Sequence, residues 1–331
     1  MIRSGSFRVP CVTLSNREGC KVISRRVIIV ALPLIIILAA VGFYQRAVHG
    51  RLPPPERLQL PAAKVIVPLT FFGGRPVVDV KVNGKGPFRF IFDTGAAGNV
   101  ISAELAHELN LPALQSAAMG RPGSDKPLPA TVTRLARMEI GEAVAEGVSG
   151  VYSDLSLLGQ LSVTAQEQAP PRGVLSATGF PSWVVSINFP AAQLEIESGE
   201  LPVEDNKTVF RWGSNEPLPT VPLSMGELTV AAHIDSGSGS GITLSTAIAA
   251  KLPLEQKHLE EDPARFVDSQ FPVTSATLNQ KISIGSIILV DPPIRFHDGS
   301  APANIGQKVL SSMLVRVDAK NRRVQLLYVA K

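Results

Sequence analysis

The chain has 331 residues, of which 45% are hydrophobic and 18% charged, a balance that excludes a disordered protein and allows two modest domains or one large one. Its only cysteines, Cys11 and Cys20, precede the first strongly apolar run, so the rest of the chain holds no thiolate zinc site and no cysteine nucleophile. The net charge is +4, but seven of the 32 basic residues and only one of the 28 acidic ones lie in the first 50 positions, leaving 25 basic against 27 acidic. With three Tyr and two Trp, this near-neutral remainder offers no basic, aromatic-lined face, and nucleic-acid binding is not expected.

Residues 1–26 read as a basic tail. Residues 27–44, VIIVALPLIIILAAVGFY, run for 18 positions without a charge, at the short end of what spans a bilayer. Arg25 and Arg26 stand at the leading edge, so the positive-inside rule places the tail in the cytoplasm. Everything after Tyr44 is then on the far side of an inner (plasma) membrane. A cleaved signal peptide is the alternative, but the leader and the apolar core are long for one and no clear A-x-A site follows. An uncleaved single-pass anchor is therefore expected. Residues 45–63 include Pro53, Pro54 and Pro55, and read as a stiff Pro-rich spacer.

Beyond the spacer the chain repeats itself. FRFIFDTGAAGNVISAELAHELNLP (88–112) is echoed by VAAHIDSGSGSGITLSTAIAAKLPLE (230–255), with Asp93 and Asp235 142 positions apart. Each copy joins an apolar strand to Asp-Thr/Ser-Gly, a turn of small residues, an apolar pair with Ser, and a short Ala-rich helix. Downstream, 135–154 and 278–298 both read as a strand, an Ile-Gly turn and a second strand. Each copy then closes with an alternating strand pair, 185–196 and 315–326, in which Val185, Ile187, Leu194 and Ile196 match Val315, Val317, Val324 and Leu326 at an offset of 130. These patterns predict a mostly β chain with one unit over 64–200, a polar connector over 201–217, and a second unit over 218–331.

Asp-Thr/Ser-Gly at a strand end has a chemical reading. Glycine permits a tight turn and close backbone approach, and the hydroxyl can bond backbone across a two-fold axis. Two such loops brought together hold two carboxylates within hydrogen-bond range. Like charges that close cannot both ionise, so the pair shares one proton. The ionised member can take a proton from water while the protonated member donates to the carbonyl under attack. The histidines are scattered and no H-E-x-x-H occurs, so neither metal nor cofactor is expected. His233 shares a strand face with Asp235, and a half-buried structural role fits it best.

The two motifs, Asp93-Thr94-Gly95-Ala96 and Asp235-Ser236-Gly237-Ser238, make the chain resemble an aspartic protease of the retropepsin/pepsin kind. It is most similar to bacterial membrane-anchored aspartyl proteases with two retropepsin-like units. The resemblance implies two pseudo-symmetric acid-protease-like β-barrel lobes, an active-site cleft between them and flaps over a peptide substrate. It implies catalytic roles for Asp93 and Asp235, with Thr94 and Ser236 gripping the opposite loop and Gly95, Ala96, Gly237 and Ser238 supporting it. Two lobes in one chain imply a monomer. The chain departs from the pattern at Ser176, where a Gly is expected, at Asn304, in an otherwise apolar pair, and in a first flap (120–130) without an aromatic. Ser suits that position only if φ is negative. These departures keep a second reading open, a catalytically silent peptide-binding or assembly module on the same fold.

Overall fold

The computed structural model describes residues 52–121, 124–156, 158, 169–252, 254–255, 264–265, 270–271, 274–278, 281–297 and 302–329. The chain divides into residues 1–50 and 51–331. The first part, with the expected anchor 27–44, lies outside the described residues. Among the described residues no helix is long and apolar enough to cross a membrane.

The first half is built from β1 (Arg57–Gln59), β2 (Lys64–Pro68), β3 (Thr70–Phe72), β4 (Arg75–Val82), β5 (Lys85–Asp93), β6 (Asn99–Ser102), β7 (Gln115–Arg121), β8 (Ser124–Ile140), β9 (Ala143–Ser153) and β10 (Gly173–Ser176), with helix α1 (Ala103–Glu108) after β6. Two further strands, β11 (Val184–Asn188) and β12 (Gln193–Glu197), follow. All but β2, β11 and β12 belong to one nine-stranded sheet whose path runs β1-β9-β6-β10-β5-β4-β8-β7, with β3 on β4. The long β8 pairs with β4, β7 and β9, which curls the sheet on itself. Phe90, Ile91 and Phe92 of β5 are consecutive and all buried, so this strand is covered on both faces, unlike a surface strand that alternates.

The connector yields β13 (Val209–Arg211). The second half has β14 (Thr220–Met225), β15 (Leu228–Ile234), β16 (Ile242–Ser245), helix α2 (Thr246–Ala249), β17 (Leu254–Glu255), β18 (Ala264–Arg265), β19 (Gln270–Phe271), β20 (Thr274–Leu278), β21 (Ile282–Ile284), β22 (Ile287–Leu289), β23 (Ile294–His297), β24 (Ala303–Ile305), helix α3 (Gln307–Leu310), β25 (Met313–Asp318) and β26 (Arg323–Tyr328). Its sheet contains the run β23-β16-β24-β15-β14-β21, which reproduces β9-β6-β10-β5-β4-β8 of the first half strand for strand. The short helices repeat as well, and each is capped by the Ser that ends the preceding strand. Ser102 accepts from Leu105 N at 3.2 Å and Ser245 from Ile248 N at 3.4 Å, satisfying one of the orphan donors of a helix start. The Ile-Gly turns fall at Gly141 (φ +57°) and Gly285 (φ +56°), a left-handed conformation that glycine adopts without strain.

A six-stranded antiparallel sheet, β13-β26-β25-β11-β12-β2, draws strands from both halves. Its central pair sets Val185 opposite Val317, Ser186 opposite Arg316 and Ile187 opposite Val315. Since 185 and 187 match 315 and 317 at the offset of 130, the pseudo-two-fold passes through the Ser186–Arg316 pair. The hairpin turns agree: Asn188 Oδ1 accepts from Ala191 N at 3.2 Å, and Asp318 Oδ1 from Asn321 N at 3.0 Å.

Two expectations need correction. The Pro-rich spacer does not extend to residue 63, because β1 pairs antiparallel with β9 and Leu58 and Leu60 pack on the core. The connector is not merely polar, because Val209, Phe210 and Trp212 are buried. Both segments have few apolar residues, too few to show an alternating pattern, yet Leu58, Val209 and Phe210 lie in their strands.

Candidate active site

Asp93 ends β5, and Asp235 directly follows β15. Each is flanked by a parallel strand: Ser176 of β10 stands beside Asp93, and Ile305 of β24 beside Ile234. This crossing of parallel strands fixes where each Asp loop leaves its sheet. The loops then meet through their second residues. Thr94 Oγ1 donates to Ile234 O at 2.6 Å and accepts from Ser236 N at 3.0 Å. Ser236 Oγ donates to Phe92 O at 2.8 Å and accepts from Thr94 N at 3.0 Å. Both hydroxyls are wholly buried. Four reciprocal bonds thus tie each half to the other, and a hydroxyl is needed at both positions because each must donate and accept.

The glycines that follow bring the carboxylates close. A Cβ on Gly95 would fall 2.5 Å from Asp235 Cγ, and one on Gly237 would collide with Asp93 Oδ2. No side chain larger than hydrogen fits either position. Asp93 Oδ1 accepts from Gly95 N at 2.7 Å and from Gly237 N at 3.1 Å. Burial and then the neighbouring Asp235 charge nevertheless push the Asp93 carboxyl well above its ordinary range, and the two N–H bonds only partly offset this. Asp93 therefore holds a proton at pH values where an exposed aspartate has lost it. Asp235 has a different partner: Asn304 Nδ2 donates to its Oδ2 at 2.6 Å. An acid and a hydrogen-bonded carboxylate side by side can run general acid and general base chemistry on one water molecule.

The remaining predicted residues also fall on these loops. Ser176 has φ −78°, an ordinary extended value, so no glycine is required. Its Oγ donates to Ala96 O at 2.6 Å. Gly306, its counterpart, could not carry a side chain: a Cβ there would lie 2.6 Å from Ser240 O and 3.0 Å from Ser238 Oγ. The two halves thus place one hydroxyl at opposite ends of the same contact, on Ser176 over Ala96 in the first half and on Ser238 against Gly306 in the second. Ser238 Oγ hydrogen-bonds Ser240 Oγ at 2.7 Å. His233 keeps a half-buried place beside Asp235, with Nε2 3.9 Å from Glu216 Oε2. Burial lowers its pKa, against the pull of Glu216 and Asp235. The tip of the first flap, residues 122–123 and the side chains of 121–126, lies outside the described residues.

One residue escaped sequence reasoning, and a second gave only a partial signal. Arg75 Nε donates to Gly237 O at 2.6 Å and its Nη1 to Gly73 O at 3.0 Å, so a side chain from the β3–β4 turn braces the loop of the other half. The contact joins residues 162 positions apart and carries no local signal. The bond from Asn304 to Asp235 was readable only as a polar intrusion into an apolar pair.

Residues 78–177, from β4 to the turn after β10, match the family model of the aspartyl proteases. This supports an aspartyl protease of retropepsin-like type. No curated protein matches the chain.

Proposed function

We propose that the chain is an aspartic endopeptidase whose two lobes form a cleft with Asp93 and Asp235 at its floor. The observation that carries this reading is the pairing of two carboxyl groups, Asp93 on backbone N–H donors and Asp235 on the Asn304 amide, on loops locked by four reciprocal hydrogen bonds. Asp235 takes a proton from water as the water oxygen bonds to the peptide carbon. Asp93 gives its proton to the carbonyl oxygen. In the collapse of the resulting diol the C–N bond breaks, Asp235 passes its proton to the leaving amine, and Asp93 recovers one from the diol. Neither metal nor covalent intermediate is needed for this balance.

The anchor over 27–44 makes the enzyme a single-pass membrane protein with its catalytic part on the extracytoplasmic side. With β1 starting at Arg57, only a dozen residues separate that run from the first sheet. The second reading, a peptide-binding or assembly module without turnover, rests on Ser176, Asn304 and a first flap without an aromatic. The negative φ of Ser176 and the Asn304–Asp235 bond give both residues a place in an intact site, which favours the enzyme.

The test is hydrolysis of denatured proteins by the full-length chain in mild detergent. Asp93→Asn and Asp235→Asn should each lower the rate at least about 10²-fold, the smaller end of what an acid or base contributes, while circular dichroism stays unchanged. Full activity in both variants would end the proposal.

A further inference from the structure

The pseudo-symmetry allows the walls beside the two aspartates to be compared position by position. In the first half, Val174 of β10 pairs with Ile91 on one side and Val100 on the other. In the second, Asn304 of β24 pairs with His233 and Thr243. These are the same three places in the same crossing of strands. Ile91 and His233 each precede an aspartate by two residues, and so share its face of the strand. A fourth place lies on the loops themselves, where Ala96 answers to Ser238.

At all four places the first half is apolar and the second polar. Val174 and Ile91 are buried in a small cluster with Phe72, Val77, Leu155 and Leu158, and Ala96 and Val100 lie half-buried against it. This cluster is separate from the main core, on the side of β5 opposite Phe90 and Phe92. In the second half, His233, Ser238, Thr243 and Asn304 are all half-buried. Hydroxyls run from Ser238 through Ser240 to Thr243 at 2.7 and 3.2 Å. Asn304 commits its Nδ2 to Asp235, while its buried Oδ1 has no hydrogen-bond partner among the described residues. A buried acceptor without a donor is costly, and a bound group that supplies the donor removes that cost.

We infer that the two sides of this site select unlike residues: the wall of Ile91, Val100 and Val174 takes an apolar side chain, and the wall of His233, Thr243 and Asn304 takes a polar side chain that donates a hydrogen bond. The inference rests on the peptidase reading and names its substrate class: peptides in which an apolar residue and a donor-bearing residue (Ser, Thr, Asn, Gln or Lys) flank the scissile bond. Uniformly apolar dipeptides are poor substrates because they leave Asn304 Oδ1 unpaired and strip water from the other polar groups. Asp and Glu, which bring acceptors towards Asn304 and Glu216, are rejected as well.

The experiment is cleavage-site profiling of a peptide library by the full-length chain in mild detergent, read as ratios between sites. Apolar residues should dominate one flanking position and donor-bearing residues the other, by at least tenfold over apolar ones. His233→Ile with Asn304→Val, which copies the first half into the second, should move that second position at least tenfold towards apolar residues, whatever the absolute rate. Thr243→Val, which leaves the Asp235 contact untouched, should shift it the same way by a smaller factor. Apolar residues at both positions in the wild type, or variant profiles that do not move, would overturn the inference. A wild-type protein that cleaves nothing would instead count against the peptidase reading. The same library is then scored by retention on immobilised protein, where selective capture of apolar–polar pairs upholds the inference and unselective capture refutes it.

Discussion

At the scale of single residues, the two aspartates are equivalent in the repeat and unlike in their surroundings. Asp93 is served by backbone N–H groups, Asp235 by an amide side chain. Because the folded-state pKa of Asp93 lies above its unfolded value, the folded protein binds a proton that the unfolded chain has released. The stability this contributes is fully present below the unfolded pKa and is lost as pH rises through the folded one. Asp93→Asn removes a group that resists ionising, so it should raise the melting temperature, and the gain should be larger at pH 8 than at pH 4. Thermal unfolding of wild type and variant at both values checks the sign. Thr94→Val should behave oppositely. It strips partners from Ile234 O and Ser236 N in a dry interface, which costs about 2–4 kcal/mol on the scale of unmade buried bonds, whereas Thr94→Ser keeps the hydroxyl and most of the stability. Chemical denaturation of the two variants separates these outcomes.

At the scale of elements, the departure at Ser176 and the glycine kept at its counterpart, Gly306, have a single explanation. Each half has space for one hydroxyl where its Asp loop meets the parallel strand. Gly306→Ser places a Cβ against two backbone carbonyls and should destabilise by about 1–3 kcal/mol, as overpacking does. Ser176→Gly loses the hydroxyl's bonds to Ala96 O, Thr178 Oγ1 and Thr178 N, at 2.6, 2.9 and 3.2 Å, and gains backbone freedom in the unfolded chain, costing about 2–4 kcal/mol. Denaturant midpoints for the pair check both. Much at this scale was legible in the sequence: the strand–Asp loop–strand–helix order, with a Ser before each helix, and the closing strand pairs at an offset of 130. These features are local, and repetition doubled the signal. What escaped was non-local or too short to show a period. β1 has three residues and is held by a neighbour far along the chain, and β13 hides its apolar pair in a polar stretch. Arg75 reaches Gly237 only once both halves are folded. The polarity contrast between Ile91, Val100 and Val174 and their counterparts needed the strand registers, since a one-residue insertion in the second Asp loop shifts the offset from 142 at Asp235 to 143 at Thr243.

At the scale of the molecule, the halves are joined at the Asp loops, by the reciprocal hydroxyl bonds of Thr94 and Ser236 and by Arg75 on Gly237 O, and through a six-stranded sheet. β11 pairs with β25 over five residue pairs, and buried Asp318 reaches back to Leu201 N at 3.1 Å. Neither junction needs the connector to be covalently intact. Cleavage at a protease site inserted between Ser214 and Asn215, in an exposed turn, should leave the pieces together in gel filtration and unfolding in one transition. Separation without denaturant would contradict this view of the interface. The same two junctions hold Asp93 against Asp235, so the site is a property of the whole chain and neither half contains it alone.

In the proposed reaction Asp93 and Asp235 share a proton and work as acid and base. The pH dependence of kcat/KM for a cleaved peptide tests it most directly. The expected profile is a bell whose limbs belong to the pair: activity falls at low pH as the pair takes up a second proton, and falls again above the ordinary carboxylate range as Asp93 gives up its proton. Both limbs should vanish with the activity in Asp93→Asn and Asp235→Asn. A rate that stays level from neutral into alkaline pH, or a bell that survives in either variant, would contradict it.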